Sequence, residues 1–303
     1  MNITLIRSDE IYKKMMKSPK EKRNNIYRYE MMKPFEEKWS CMNVPLKASY
    51  EGGYDVVMAS SMLGFLPPID VDEGQKENID LISRDSLWST CERTIYNSFN
   101  LFTKAGYDLE VKDYVFSIML ANPQNPYISM NQGYCGDGGI PGYIFVSLVP
   151  NDYTLSRLHV ALAHECNHNV RFQFEKWKMN ITLAEMMISE GLAENFAEFM
   201  FGEDMIGPWV SKTSIDMLNN HIKPIIKDVL DVTGFENITP YLYGDKHAEL
   251  RGFFPVGLSY CAGYACGYYM IKHYLYKTGK SIVEATLTPS SEIMKEIEDF
   301  WDE

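Results

Sequence analysis

A mainly helical α+β protein is the fold class this sequence predicts, and three observations carry it. Apolar residues recur at helical spacing through most of the first 104 residues; short β-rich runs interrupt them between about 115 and 150; helical texture then returns after Pro150. With 303 residues, 46% of them apolar, the chain has material for one large or two modest domains. The expected division is a helical N-terminal region, 1–110, of unassigned role, and a second domain, 111–303.

Residues 9–104 read as helices punctuated by Gly52-Gly53, by Pro67-Pro68 and by an acidic loop, 70–77. The runs VFSIML (115–120), YISMNQGY (127–134) and GYIFVSLVP (142–150) read as short strands separated by Asn/Pro and Gly-rich turns, a small β-sheet. Helices are expected at about 154–176, capped by Asp152 or Thr154, and at 182–202, 211–230 and 256–277. The stretch 252–271 carries no charge and contains G-x-x-x-G at Gly263 and Gly267. Pro255, four glycines and four tyrosines make it a buried helix rather than a membrane span.

Composition narrows the function. The net charge is −12, and 13% of residues are aromatic, which argues against both disorder and a general nucleic-acid binder. Residues 1–50 hold 11 basic and 6 acidic side chains, so the remainder carries −17. Lys13, Lys14, Lys17, Lys20, Lys22, Arg23 and Arg28 form a basic stretch without interleaved base-stacking aromatics, and it reads as a solvated helix face. Six cysteines lie scattered with no C-x-x-C pair, and no signal peptide opens the chain; both features point to the cytoplasm.

The chemistry concentrates in LHVALAHECNHNVRF. His164, Glu165 and His168 form H-E-x-x-H, a pattern that six histidines in 303 residues would produce by chance on the order of 0.01 times. On a helix, positions i and i+4 share a face, so the two imidazoles can bind one zinc ion, and Glu165 can serve as general base toward a water activated by the metal. Catalytic zinc takes three protein ligands. Glu190 follows in ISEGLAENFAEF, on a second amphipathic helix that can run antiparallel to the first, with Glu194 one turn on as acceptor for a ligating histidine.

His164-Glu165-x-x-His168 followed by Glu190-Gly191-Leu192-Ala193-Glu194 resembles the gluzincin metallopeptidases. More closely, H-E-C-N-H-N-V-R, T-L-A-E-M-M-I-S-E-G-L-A-E, Pro208-Trp209 and G-Y-A-C-G-Y-Y-M-I-K resemble the domain of unknown function 2268 family (DUF2268), bacterial proteins predicted to be zinc-dependent proteases. The resemblance spans roughly 110–280 and implies a zincin-like domain within 111–303. It implies His164, His168 and Glu190 as ligands of one Zn2+ per chain and Glu165 as catalytic base. Glu194 stands where thermolysin-like enzymes often have Asp, and no G-A-M-E-N-like segment supports an aminopeptidase.

A hydrolase also needs a donor for the developing oxyanion. Tyr260, Tyr264 and Tyr268 recur at i, i+4, i+8; Tyr264 is the first candidate and Tyr260 the second, with His221 and His247 as alternatives and a satisfied core stripe as the plainer reading. The Gly136–Gly142 loop leads into Tyr143 and its strand. Gly138, Gly139 and Tyr143 either pair with an extended substrate backbone or form a plain hairpin turn. Arg171 holds Glu194 or a substrate carboxylate, or makes an ordinary helix salt bridge; Cys166 and His159 read as structural. The expected partner is a peptide or protein substrate, which the acidic body would favour if basic, with no nucleic acid and no membrane span. The rival readings are a zinc amidohydrolase acting on a non-peptide amide and a non-catalytic binding protein stabilised by metal.

Overall fold

The computed structural model describes residues 1–178 and 180–302. It is mainly helical with one mixed four-stranded sheet, an α+β arrangement. Among the described residues, no helix is long and apolar enough to cross a membrane. Contacts divide the chain into two units, 1–97 with 110–165, and 98–109 with 166–303. The division falls inside the helix Asp152–Phe174, between Glu165 and Cys166.

The first unit holds the sheet. Its strands β1 (Asn2–Leu5), β2 (Asp113–Leu120), β3 (Tyr134–Asp137) and β4 (Tyr143–Leu148) lie in the order β1-β2-β4-β3. β1 and β4 run parallel to β2, and β3 runs antiparallel to β4. β2 and β4 read as continuous apolar runs because both faces are covered. Ile144 and Phe116 are register partners, so they share a face, where Trp88 meets Phe116 edge-on. Phe145 and Ser117 share the other, where Phe35, Trp39 and Phe65 lie within 6.3 Å of the Phe145 ring.

The N-terminal segment is thus part of the sheet's own core. β1 is missing from the sequence expectation because four residues are too short to display an alternation. It is held by Asn2 N–H to Lys112 and Ile6 N–H to Phe116, 2.7 and 2.9 Å. Just beyond it, the Ser8 hydroxyl donates to Ile118 O and the Tyr12 hydroxyl accepts the Leu120 N–H.

Three expected elements differ. Of YISMNQGY only Tyr134 enters a strand; Pro126–Met130 is a helical turn, because Asn125 caps the Tyr127 and Ile128 amides and Pro126 sits where a missing N–H costs nothing. The helix expected at 211–230 is broken into short turns, including a π turn at Leu218–Ile222 followed by Pro224. The helix expected from 256 starts at Ala262, after Cys261 in the left-handed region at φ 52°.

In the second unit, the helix Leu183–Phe201 opens with a capping box between Thr182 and Glu185. It crosses the helix Ala262–Thr278 backbone to backbone. A Cβ built on Gly191 would collide with the Gly267 carbonyl, and one on Gly267 with the Met187 carbonyl. Asn195 seals the crossing by donating to Gly191 O and Tyr268 O, 2.8 and 3.0 Å.

Candidate metal centre

The motif helix, Asp152–Phe174, begins at a reciprocal cap in which Asn151 and Thr154 each accept the other's backbone N–H. It is buried along most of its length, and His164, Glu165 and His168 are each under 8% exposed. One turn separates the two histidines on one face. Glu190, also buried, projects from the helix Leu183–Phe201. His164, His168 and Glu190 each offer a donor atom within 4.8 Å of the others.

The His168 Nε2 lies 3.2 Å from Glu190 Oε2, so these two donors converge on one point. The other ring nitrogen, Nδ1, lies 3.1 Å from the Ser189 hydroxyl. An imidazole that coordinates through Nε2 keeps its proton on Nδ1, and Ser189 is in place to accept it. Ser189 was missed from sequence; its one signal is its place immediately before the third donor. Two imidazoles and a carboxylate, buried and convergent, fit zinc, which takes N and O donors and in catalytic sites three protein ligands.

Glu165 sits against β3. A Cβ on Gly136 would fall inside the Glu165 carboxylate, and one on Gly138 would meet the Glu165 carbonyl and Cβ. Gly138 therefore touches the expected base, whereas the Cα of Gly139 faces open space. Tyr143 points its hydroxyl at Glu37, 2.7 Å, with its ring beside Phe35.

The remaining candidates scatter. Glu194 accepts from the Gly207 N–H and from the Trp209 indole at 2.7 Å, pinning the Gly207-Pro208-Trp209 turn. Arg171 is 2% exposed and donates to Thr286 O, Thr288 O, the Ser290 hydroxyl and Glu175, anchoring the C-terminal segment. Tyr264 is half-buried and tilts against Tyr243, whose ring stacks on His247. Tyr260 lies under the Lys212 ammonium, and Tyr268 donates to Glu198 at 2.6 Å. His221 meets Gly257 O at 2.8 Å, and Cys166 is buried.

Comparison with known proteins is decisive about kinship. Residues 87–295 match the family described as predicted Zn-dependent protease, DUF2268. The chain belongs to the DUF2268 family. A relative in this direction is the uncharacterized protein YjfC of Bacillus subtilis (strain 168), 36% identical over 297 residues, 98% of each chain. No solved structure matches. The DUF2268 span contains all three donors and Glu165, but it begins after β1 and after the aromatic helices that cover Phe145. The Bacillus relative is similar across that segment too.

One group in this DUF2268 protein makes a pH prediction. Burial, and then the charge of Arg251, lower His247 to about 4. Burial and Arg157 lower His159 as well. A histidine depressed in the folded state stays neutral there but takes a proton in the unfolded chain near its ordinary value of about 6.5. Its stabilising contribution is therefore complete above about pH 6.5 and drains away as pH falls toward 4. Urea unfolding midpoints should fall across that window, and His247→Asn should flatten the fall; an unchanged slope would remove His247 as its cause.

Proposed function

We propose that this protein hydrolyses peptide bonds with one zinc ion held by His164, His168 and Glu190 and with Glu165 as general base. The observation that carries the reading is the convergence of three buried donors, two of them on a helix whose next residue after His164 is a carboxylate packed against an edge strand and the third on a second helix. Zinc at such a site supplies a Lewis acid that polarises the scissile carbonyl and acidifies water. Glu165 accepts the proton of the attacking water on a carboxylate oxygen and delivers it to the leaving amine nitrogen. Tyr264, or failing it Tyr260, donates its phenolic hydrogen to the oxyanion. Ser189 keeps His168 in the tautomer that leaves Nε2 open, and Glu194 and Arg171 support the helices from behind.

In this reading residues 111–303 carry the hydrolytic chemistry and residues 1–110 support it. β3 is the outer strand of the sheet, which favours an extended substrate adding beside it near Gly138 and Gly139, with Tyr143 at the far end of the turn. A basic peptide suits the −12 chain, and a cytoplasmic setting suits its six thiols.

Metal analysis of the purified chain should find about one zinc per molecule, as a three-ligand catalytic site requires. His164→Ala should lose it while the fold is retained, as judged by circular dichroism. Profiling the zinc-loaded protein against a peptide library alongside small amides separates a peptidase from an amidohydrolase. Full metal occupancy with no turnover of either class would sink both hydrolytic readings.

A further inference from the structure

We propose that Lys38 and Asp137 are positioning residues for Glu165: their ion pair clamps β3, and the backbone of Gly136 and Gly138 then fixes where the Glu165 carboxylate stands. The inference rests on the reading of Glu165 as general base, and it gives the N-terminal region a task in the chemistry.

Lys38 belongs to the short helix Glu36–Cys41, outside the span that defines the family. Its side chain is 1% exposed, and its ammonium lies 2.9 Å from both carboxylate oxygens of Asp137, 99 residues away. The same ammonium is 5.8 Å from the ring centroids of Trp39 and Phe145. Burying the Lys38 ammonium is a costly way to fill a space that Leu or Met would fill as well; Asp137, its partner, keeps 24% of its side chain exposed, and the pair imposes a single geometry on the strand. The neighbouring residue repeats the grip: the Glu37 carboxylate accepts the Tyr143 hydroxyl hydrogen at 2.7 Å. The helix thus holds the β3–β4 hairpin at Asp137 and at Tyr143, on either side of its connection.

What the clamp presses against is the expected base. Gly136 and Gly138 flank Asp137, and both lie in van der Waals contact with Glu165, one on its carboxylate and one on its carbonyl and Cβ. Along an extended strand, neighbouring residues face opposite sides. Lys38 therefore pulls on one side of β3 while Glu165 rests on the other. A strand released by even an ångström would let the carboxylate swing, and a displacement of that size costs catalysis about 10²-fold.

The test uses the full-length chain. Lys38→Met and Asp137→Asn, loaded with zinc, should lower kcat about 10²-fold with KM nearly unchanged and zinc content unchanged. A merely structural tie would lower the unfolding midpoint without separating kcat from KM. In the Glu165→Asp background the same substitutions should cost much less, because both act on one carboxylate. A readout independent of turnover is amide hydrogen exchange in the metal-free protein. Exchange should quicken at 134–139 in Lys38→Met and stay unchanged in β1 and β2. If that single variant fails to fold, Lys38→Met with Asp137→Leu removes both charges together and keeps every readout. Unchanged exchange at 134–139, or unchanged kcat with faster exchange, overturns the clamp. A wild-type enzyme that cleaves no peptide sinks the protease reading instead, and the exchange data still decide whether the clamp exists.

Discussion

If Glu165 is the general base, Glu165→Gln should lower peptide hydrolysis by about 10²–10⁴-fold, the usual contribution of such a group, while zinc should stay bound at the wild-type level. That loss corresponds to about 3–5 kcal/mol of barrier height. Glutamine keeps the length and shape that fit between Gly136, Gly138 and the motif helix, so it leaves the packing intact. It also leaves His164, His168 and Glu190 untouched, so the donors still converge. What it removes is the capacity to take up and release a proton. Steady-state kinetics and metal analysis on the same preparation check both halves. Loss of zinc would make Glu165 a ligand, and retained turnover would assign the base elsewhere.

The second large effect concerns folding. A chain beginning at Leu87, where the family match starts, should show no cooperative unfolding transition. It would lack β1, and with it the main-chain hydrogen bonds to β2. It would also lack Phe35, Trp39 and Phe65, all under 4% exposed, which cover Phe145 on one face of the sheet. Burying side chains of this kind contributes about 1.5–3 kcal/mol each, so three amount to about 5–9 kcal/mol. That approaches the whole stability of an ordinary domain, about 5–15 kcal/mol. Heat or urea denaturation followed by circular dichroism decides it. A sharp transition near the wild-type midpoint would mean that the first 86 residues are an accessory.

The clustering of His164, His168 and Glu190 was legible in the sequence because its information is local. Two histidines one turn apart need only a helix to bring them together, and Glu190 sits 22 residues after His168 on a helix whose capping box is written in Thr182 and Glu185. The mainly helical α+β class was legible for the same reason, since periodicity reports on single elements. What escaped depends on pairs distant in sequence. β1 is too short to show an alternation and becomes a strand only because β2, over 100 residues later, offers it an edge. The Lys38–Asp137 pair joins a helix to a strand with no spacing rule to announce it. The turn at 126–130 was misread from its β-favouring side chains, which a cap at Asn125 outweighs. Tyr143 is expected either beside a substrate backbone or in a plain hairpin; its hydroxyl meets Glu37, a partner that spacing could not supply.

The crossing of Gly191 with Gly267 has a consequence for how this chain can change. Side chains between helices can be exchanged in compensating pairs, large for small, and the helices then drift to new separations. Bare backbone in contact allows no such trade, because no smaller residue than glycine exists. Glu190, adjacent to that contact, is therefore held at a height along its helix that neutral substitution cannot ratchet away. A screen that scores folding alone should find Gly191 and Gly267 less permissive than the candidate donor beside them, since an alanine in place of Glu190 removes a carboxylate but collides with nothing.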